Sequence, residues 1–307
     1  MRSLEPIYGN LFMDNCDYSF GDHASVICNV FNGYMKKTSL ENEEFISVVE
    51  KIGKTRIISL FVDNIRLYKR HIDTKSDSDA QWVESLTSHG DVLNLCSQLP
   101  EYKFRIITGL DDTPIDHHIE GRIPRNVVSV HAVNCDYVAD KLRPLYLGLQ
   151  RRMNPQDNRI EILKQKMEVE TEATQLLYVN HKDWTNMDAR GPIKPIFQNY
   201  NWATVRDAGL EYGSYLDEIK NHHFMICPIG NGIDCHRNYE VFYMKRVPVM
   251  VENEYLKSLY QGLPVLWVKD WKDVTEQLLA DNMHLYELMQ HMVINELDWK
   301  YYSHLYQ

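Results

Sequence analysis

The stretch His223–Val251, HFMICPIGNGIDCHRNYEVFYMKRVPVMV, constrains the fold of this chain more than any other. Phe224–Cys227 is a short apolar run and reads as a buried strand. Pro228, Gly230 and Gly232 end it in a turn. Asp234 is suited to cap the helix that follows, and Arg237–Met244 reads as that helix, with Tyr239, Phe242 and Tyr243 spaced to face a sheet. Pro248–Val251 is the next strand. Strand, glycine-rich turn, helix and strand in this order predict a right-handed parallel crossover, hence an α/β fold.

The same geometry suggests a chemistry. A glycine-rich turn that feeds a helix N-terminus offers backbone N–H groups and the positive end of a dipole, which suits a phosphate. Arg237 lies in the first helical turn, where its fork can hold a diphosphate through two bonds. Glu240 is three residues on, so it shares that face and can accept from a ribose diol. Two other readings compete. Gly230-Asn231-Gly232-Ile233-Asp234-Cys235 is close to a dinucleotide fingerprint, with Glu252 at the end of the next strand, but its third glycine is missing. Arg237 and Glu240 could also be a plain surface pair, worth about 0.3–0.5 kcal/mol.

Pro228, Gly230, Arg237, Glu240, then Val247-Pro248-Val249, Leu263–Val268 and Asp270-Trp271, resemble the C-terminal signature of exostosin-like glycosyltransferases. The likeness is to short forms similar to those of bacteria and large DNA viruses, and it covers about residues 174–275. It implies a GT-B fold, that is, two Rossmann-like domains facing across a cleft, with an inverting mechanism and a nucleotide-sugar donor such as a UDP-sugar, possible donors including UDP-xylose. In the family, an Asn, a Thr or Ser and an Arg after the first strand of the second domain point at the donor. Asn180, Thr185 and Arg190 match those types, and Arg190 would replace a metal ion in neutralising the leaving diphosphate. Gly230, Gly232, Asp234 and His236 join them in the expected donor site. A family strand end bearing Ser or Asp followed by Asp corresponds to Asp111-Asp112, and by that resemblance Asp112 is the expected base and Asp111 the second candidate. Arg143–Leu149 resembles the strand and turn that close the family's first domain.

Length and composition bound these expectations. The 307 residues, 44% of them hydrophobic, suffice for two cores, and a net charge of −10 argues against an electrostatic grip on nucleic acid. No apolar run approaches the ~18 residues of a membrane span, and the first residues lack a signal-peptide apolar region. The six cysteines form no C-x-x-C pair, as expected of reduced thiols in the cytoplasm.

In chain order, residues 1–40 read as aromatic-rich and irregular, Glu41–Ile52 as a helix, and Arg56–Val62 as the first strand. Asp77-Ser78-Asp79 spells the D-x-D of manganese-dependent transferases, but it lies in a polar run with no strand before it, so no metal is expected. Val83–Leu86 and Asp91–Leu99 read as helices. Phe104–Gly109 is a strand that delivers Asp111 and Asp112 to its C-terminal end, where open α/β sheets bind ligands. An Asx turn into Pro114 is the bland alternative there. Asp116–Glu120 lacks the H-E-x-x-H spacing of a metal site, so His117 and His118 are expected at a cleft lip or on the surface, as candidate acceptor contacts. Val127–Val133 is a strand, Asn154–Arg159 a linker that follows Arg152, Ile160–Glu172 a helix, and Gln175–Val179 the strand opening the second domain. Phe197–Val205 and Tyr212–Asn221 read as helical, as do Trp271–Leu279, capped by Asp270, and a long tail over His284–Tyr306.

The expected organisation is an acceptor domain over 1–152, a nucleotide-sugar domain over 153–283, and a tail over 284–307 that crosses back to the first domain. The expected activity is metal-independent transfer of a sugar to a hydroxyl of a glycan or glycoprotein, with no cofactor. The alternatives are a non-catalytic nucleotide-sugar or glycan binder and an NAD-dependent oxidoreductase.

Overall fold

The computed structural model describes residues 6–7, 11–12, 15–19, 42–63, 67, 91–109, 112–137, 139–150 and 158–306. Asp77-Ser78-Asp79, Val83–Leu86, Asp111 and Arg152 lie outside them. The chain separates into two compact units, one formed by Tyr8–Leu147 with Tyr302–Gln307, the other by Met1–Ile7 with Gly148–Tyr301.

The first unit is built on five parallel strands in the order β1-β2-β3-β4-β5. These are β1 Tyr18–Ser19, β2 Ile57–Val62, β3 Lys103–Thr108, β4 Val127–Ala132 and β5 Leu142–Pro144. The two-residue β1, within a region read as irregular, pairs Tyr18 with Leu60. Helix α1, Asn42–Ile52, turns Phe45 and Val49 into the core, where Phe45 meets Phe104 of β3 at 6.1 Å. Helix α2, Val92–Ser97, is capped by Asp91, whose side chain accepts from Asn94 N–H. Strand β2 is buried on both faces, as a strand covered on both sides must be, and β3 is buried from Ile106 to Thr108.

The second unit holds the other parallel sheet, in the order β10-β9-β8-β6-β7. Its strands are β6 Gln175–His181, β7 Ala203–Asp207, β8 His222–Ile226, β9 Val247–Val251 and β10 Leu266–Val268. The helices are α3 Arg159–Glu168, α4 Met187–Arg190, α5 Ile193–Phe197, α6 Tyr212–Lys220, α7 His236–Tyr243, α8 Glu254–Leu259, α9 Glu276–Asp281 and α10 Met283–His291. The chain leaves β6 for β7 on one side and returns across β6 to β8 on the other. The C-terminal ends of β6 and β8 therefore form the point at which strand order reverses, where open α/β sheets place their ligands.

Two buried bases tie the opposite side of this sheet together. Arg246, 2% exposed, donates to the carbonyls of Lys220, Met244, Lys245 and Thr171. Lys220 donates to the carbonyls of Lys166 and Val169. Most of these carbonyls lie at or just beyond the C-terminal ends of α3, α6 and α7. Ile7, wholly buried, also belongs to this unit: its N–H donates to the Tyr243 hydroxyl at 2.8 Å, and its carbonyl accepts from Leu149 N–H at 2.8 Å.

Three helical expectations are corrected. Phe197–Val205 is not a helix: it divides between the end of α5 and β7, because Thr204 and Val205 extend as a half-buried edge strand against β6. Trp271–Leu279 breaks at Val274. Asp270 caps a single 3-10 turn over Trp271–Asp273, and Thr275 starts α9 afresh. The tail over His284–Tyr306 is also interrupted: α10 ends at His291, and short 3-10 segments span Asn295–Leu297 and Trp299–Tyr306. α10 packs on β8 and β9, whereas Tyr302 belongs to the first unit, where its ring meets Phe12 edge-on at 5.3 Å.

Candidate functional site

The turn after β8 and the loop after β6 are joined by one arginine. Arg190, the last residue of α4, is 5% exposed. Its Nε donates to Ile229 O at 2.7 Å and its Nη2 to Pro228 O at 3.2 Å, while Nη1 donates to Thr185 Oγ1 at 2.5 Å and Lys182 O at 3.2 Å. Asn186 adds a bond from Nδ2 to Gly230 O at 2.9 Å, and Gly230 N–H donates to Gly232 O at 3.0 Å. A Cβ at Gly230 would lie 2.7 Å from Arg190 Nη2, so a larger residue there must displace that guanidinium.

Helix α7 supplies the second guanidinium. Arg237 sits in its first turn, half-buried, and its Nε is shielded from solvent without a hydrogen-bond partner. Burial, followed by the charge of Arg237, holds Arg190 below its ordinary value. The two cations thus stand near each other, and one of them keeps a shielded donor that an acceptor could match. No side chain caps α7.

Glu240 lies one turn on and is buried. Its carboxylate accepts from the Tyr215 hydroxyl at 3.0 Å and from Tyr212. Burial raises its pKa, against the pull of Arg237 and Tyr215. Neither Arg237 nor Glu240 is a solvent-facing surface pair.

Asp234 does not cap α7, contrary to expectation. Cys235 takes the cap position with extended backbone, and the Asp234 carboxylate, 1% exposed, turns inward. It accepts from the hydroxyls of Tyr239 and Tyr260, from Asn238 Nδ2 at 3.1 Å and from Cys235 N–H at 2.8 Å. Two buried phenols outcompete a local cap because they would otherwise be left without acceptors.

The remaining expected donor residues have defined partners. Asn180, 3% exposed, donates from Nδ2 to Asp207 O at 3.0 Å and ties β6 to β7. Thr185 bridges Arg190 to Lys182 O, to which its hydroxyl donates at 2.9 Å. Gly232 is buried in the turn. His236 places Nδ1 2.7 Å from Gly148 O, which makes Nδ1 the protonated nitrogen. Glu252, the ribose acid of the dinucleotide reading, pairs with Lys257 at 3.3 Å.

In the first unit, Asp112 is exposed just beyond the C-terminal end of β3, the ligand side of a parallel sheet. His117 and His118 lie exposed on a 3-10 turn capped by Asp116, with His118 Nδ1 2.9 Å from Asp116 Oδ1. Asp116, His117 and His118 bring three potential ligand atoms within 4.8 Å of one another on this surface turn.

Sequence reasoning missed the second layer of the site. His181 at the end of β6 is wholly buried, and burial followed by the charge of Arg237 pushes its pKa down to about 4. Its signal was its position, the last residue of a buried strand beside the switch point. Tyr212 and Tyr215, which hold Glu240, carried no such signal.

Fold and site together describe an α/β protein in which Arg190 and Arg237 lie near the switch point of its second sheet. No family model matches the chain, and no curated protein does. Among solved structures it is similar to an α1,3-fucosyltransferase, at 11% identity over 83% of this chain and 71% of that one, with a TM-score of 0.32. It is also similar to a UDP-forming α,α-trehalose-phosphate synthase from Burkholderia vietnamiensis, at 13% identity over 84% of this chain and 66% of that one, with a TM-score of 0.32. Among the described residues, no helix is long and apolar enough to cross a membrane.

Proposed function

We propose that this chain is a glycosyltransferase of the GT-B type, related to the exostosin-like enzymes. It would move a sugar from a nucleotide diphosphate, a UDP-sugar foremost, to a hydroxyl of a glycan or glycoprotein. The observation that carries this reading is the pairing of buried Arg190 with half-buried Arg237 at the switch point, the Arg237 Nε–H being unmatched. A diphosphate supplies the charge and acceptors that this pair lacks.

The two arginines do different work. Arg190 is committed by its carbonyl bonds to shaping the Pro228–Gly230 turn, so it contributes mainly charge. Arg237 has a donor to give. Glu240, pinned by Tyr215, is preset to accept from the nucleotide's ribose. Asp112 is the base we assign to the acceptor hydroxyl. The hydroxyl oxygen attacks the anomeric carbon as its proton passes to Asp112, and the bond to the diphosphate breaks in the same displacement, which inverts configuration. Charge that develops on the leaving diphosphate falls on Arg237 and Arg190, so the reaction as proposed uses no metal ion. His117 and His118 are proposed acceptor contacts.

Isothermal titration with UDP, GDP and their sugars tests the donor site, and sugar transfer or donor hydrolysis tests the chemistry. Binding of a nucleoside diphosphate that Arg237→Ala abolishes is the expected result. Failure of every nucleoside diphosphate to bind overturns the reading, and binding of NAD(H) instead favours the oxidoreductase alternative.

A further inference from the structure

Behind the two arginines lies a histidine that the reading above leaves unused. The His181 ring is wholly buried, and neither ring nitrogen has a hydrogen-bond partner. Its Nδ1 is 2.8 Å from Asp183 Oδ1, close enough for an ion pair but without the alignment of a hydrogen bond. Asp183 Oδ2 lies 3.2 Å from Lys194 Nζ, which also reaches Asp207 Oδ1 of β7 at 3.1 Å. The charges that act on the imidazole are therefore Asp183 from the turn after β6, Lys194 from α5, Arg190 from α4 and Arg237 from α7. Three of the four are cations, and the one anion is shared with Lys194.

This field opposes a second ring proton. A bound anion reverses the balance. It cancels the field of Arg190 and Arg237 and leaves Asp183, 2.8 Å away, as the dominant neighbour of the ring. A histidine placed this way does not touch the ligand, since its ring has no accessible surface. It senses the ligand through Arg237.

We propose that His181 is a proton-accepting positioning residue of the donor site: when a phosphate-type anion settles on Arg190 and Arg237, the imidazole takes up one proton from solvent and pairs with Asp183 as a cation. The proposal rests on the reading of those arginines as an anion site. The proton adds to whichever ring nitrogen lacks one, and no other bond changes. Anion binding and protonation are then linked. Because the bound form holds the proton more tightly than the free form, affinity rises as pH falls. The ring is otherwise deprotonated down to about 4, so the window lies between that value and the ordinary 6.5. If binding restores the ordinary value, affinity is about tenfold tighter at about pH 5.5 than at about pH 7.5.

Inorganic sulfate is the probe, because it does not titrate in this window. The imidazole signals of histidine-labelled protein are followed by NMR against pH, with and without sulfate, and His181 is assigned by its loss in His181→Asn. The expected result is a His181 midpoint that rises by at least about one pH unit with sulfate, while the midpoints of His117 and His118 stay. If sulfate perturbs the Arg237 Nε–H signal but leaves the His181 midpoint in place, the proposal is overturned and the anion site stands. If sulfate perturbs neither, both fall. Should His181→Asn fail to fold, calorimetric titration of the unaltered chain in buffers of different ionisation enthalpy reads the same quantity. Uptake approaching one proton per anion supports the proposal, and zero uptake overturns it.

Discussion

Gly230→Ala tests the turn that holds the arginines. The backbone at Gly230 is outside the left-handed region, so alanine brings no dihedral strain, only a methyl group. That methyl carbon would lie 2.7 Å from Arg190 Nη2 and 3.3 Å from Cys235 Sγ. The guanidinium must swing away, losing the bond from Nη2 to Pro228 O and the 3.6 Å contact with Cys235 Sγ. Bonds from a charged donor are worth about 1.5–3 kcal/mol each, and alanine returns about 0.4–1 kcal/mol by restricting the unfolded chain. The net expectation is a loss of about 1–2 kcal/mol, which lowers the melting temperature of a unit of this size by about 2–8 °C. Donor affinity should fall about tenfold, because Arg190 supplies part of the charge proposed to face the diphosphate. Differential scanning calorimetry and titration with UDP measure the two effects. In an Arg190→Ala background the same substitution should cost almost nothing, since the atom it strikes is gone. Full additivity in that cycle, or an unaltered melting temperature and affinity in Gly230→Ala alone, refutes the packing role assigned to Gly230.

Arg237→Ala should lower turnover about 10²–10³-fold with little change in melting temperature, read by sugar transfer and circular dichroism; equal losses of both would make it a structural residue. Asp112→Asn should abolish transfer while leaving UDP affinity within about twofold, checked by titration beside the transfer assay. Arg246→Ala, which strips the donor from four carbonyls, should destabilise the second unit by about 3 kcal/mol or more in denaturant unfolding without altering UDP contacts. Glu240, whose folded pKa is raised chiefly by burial, contributes stability that is complete below its ordinary 4.5 and is lost as pH rises through the folded value. The stability difference between the unaltered chain and Glu240→Gln should therefore move in favour of the variant as pH rises, and a pH-independent difference would contradict the burial argument.

The core crossover was legible because each of its signals is local. An apolar run, a proline–glycine break and a helical stripe define β8, the turn and α7 within two residues. Arg237 and Glu240 could be placed on one helical face by counting. What could not be read were contacts between residues distant in sequence. Asp234 carries every local mark of a cap, yet the hydroxyl of Tyr260, 26 residues on, draws it inward. β7 was hidden because an edge strand is only half covered and its sequence lacks an apolar run. The long tail appeared continuous since aromatic and aliphatic residues kept a helical period past His291, but backbone hydrogen bonding does not follow that period. The bonds that aim Arg190 reach across 38 and 39 residues, so its type could be matched to a role while its geometry could not.

The lodging of Ile7 has a practical consequence. A fragment trimmed to residues 148–301 would keep every strand of the second sheet, yet it would carry an empty slot beside Tyr243 and an unanswered amide at Leu149. Dissection at the apparent junction should therefore yield an insoluble or loosely folded piece. A short synthetic peptide carrying Pro6 and Ile7, added in trans, is the natural means of rescuing it.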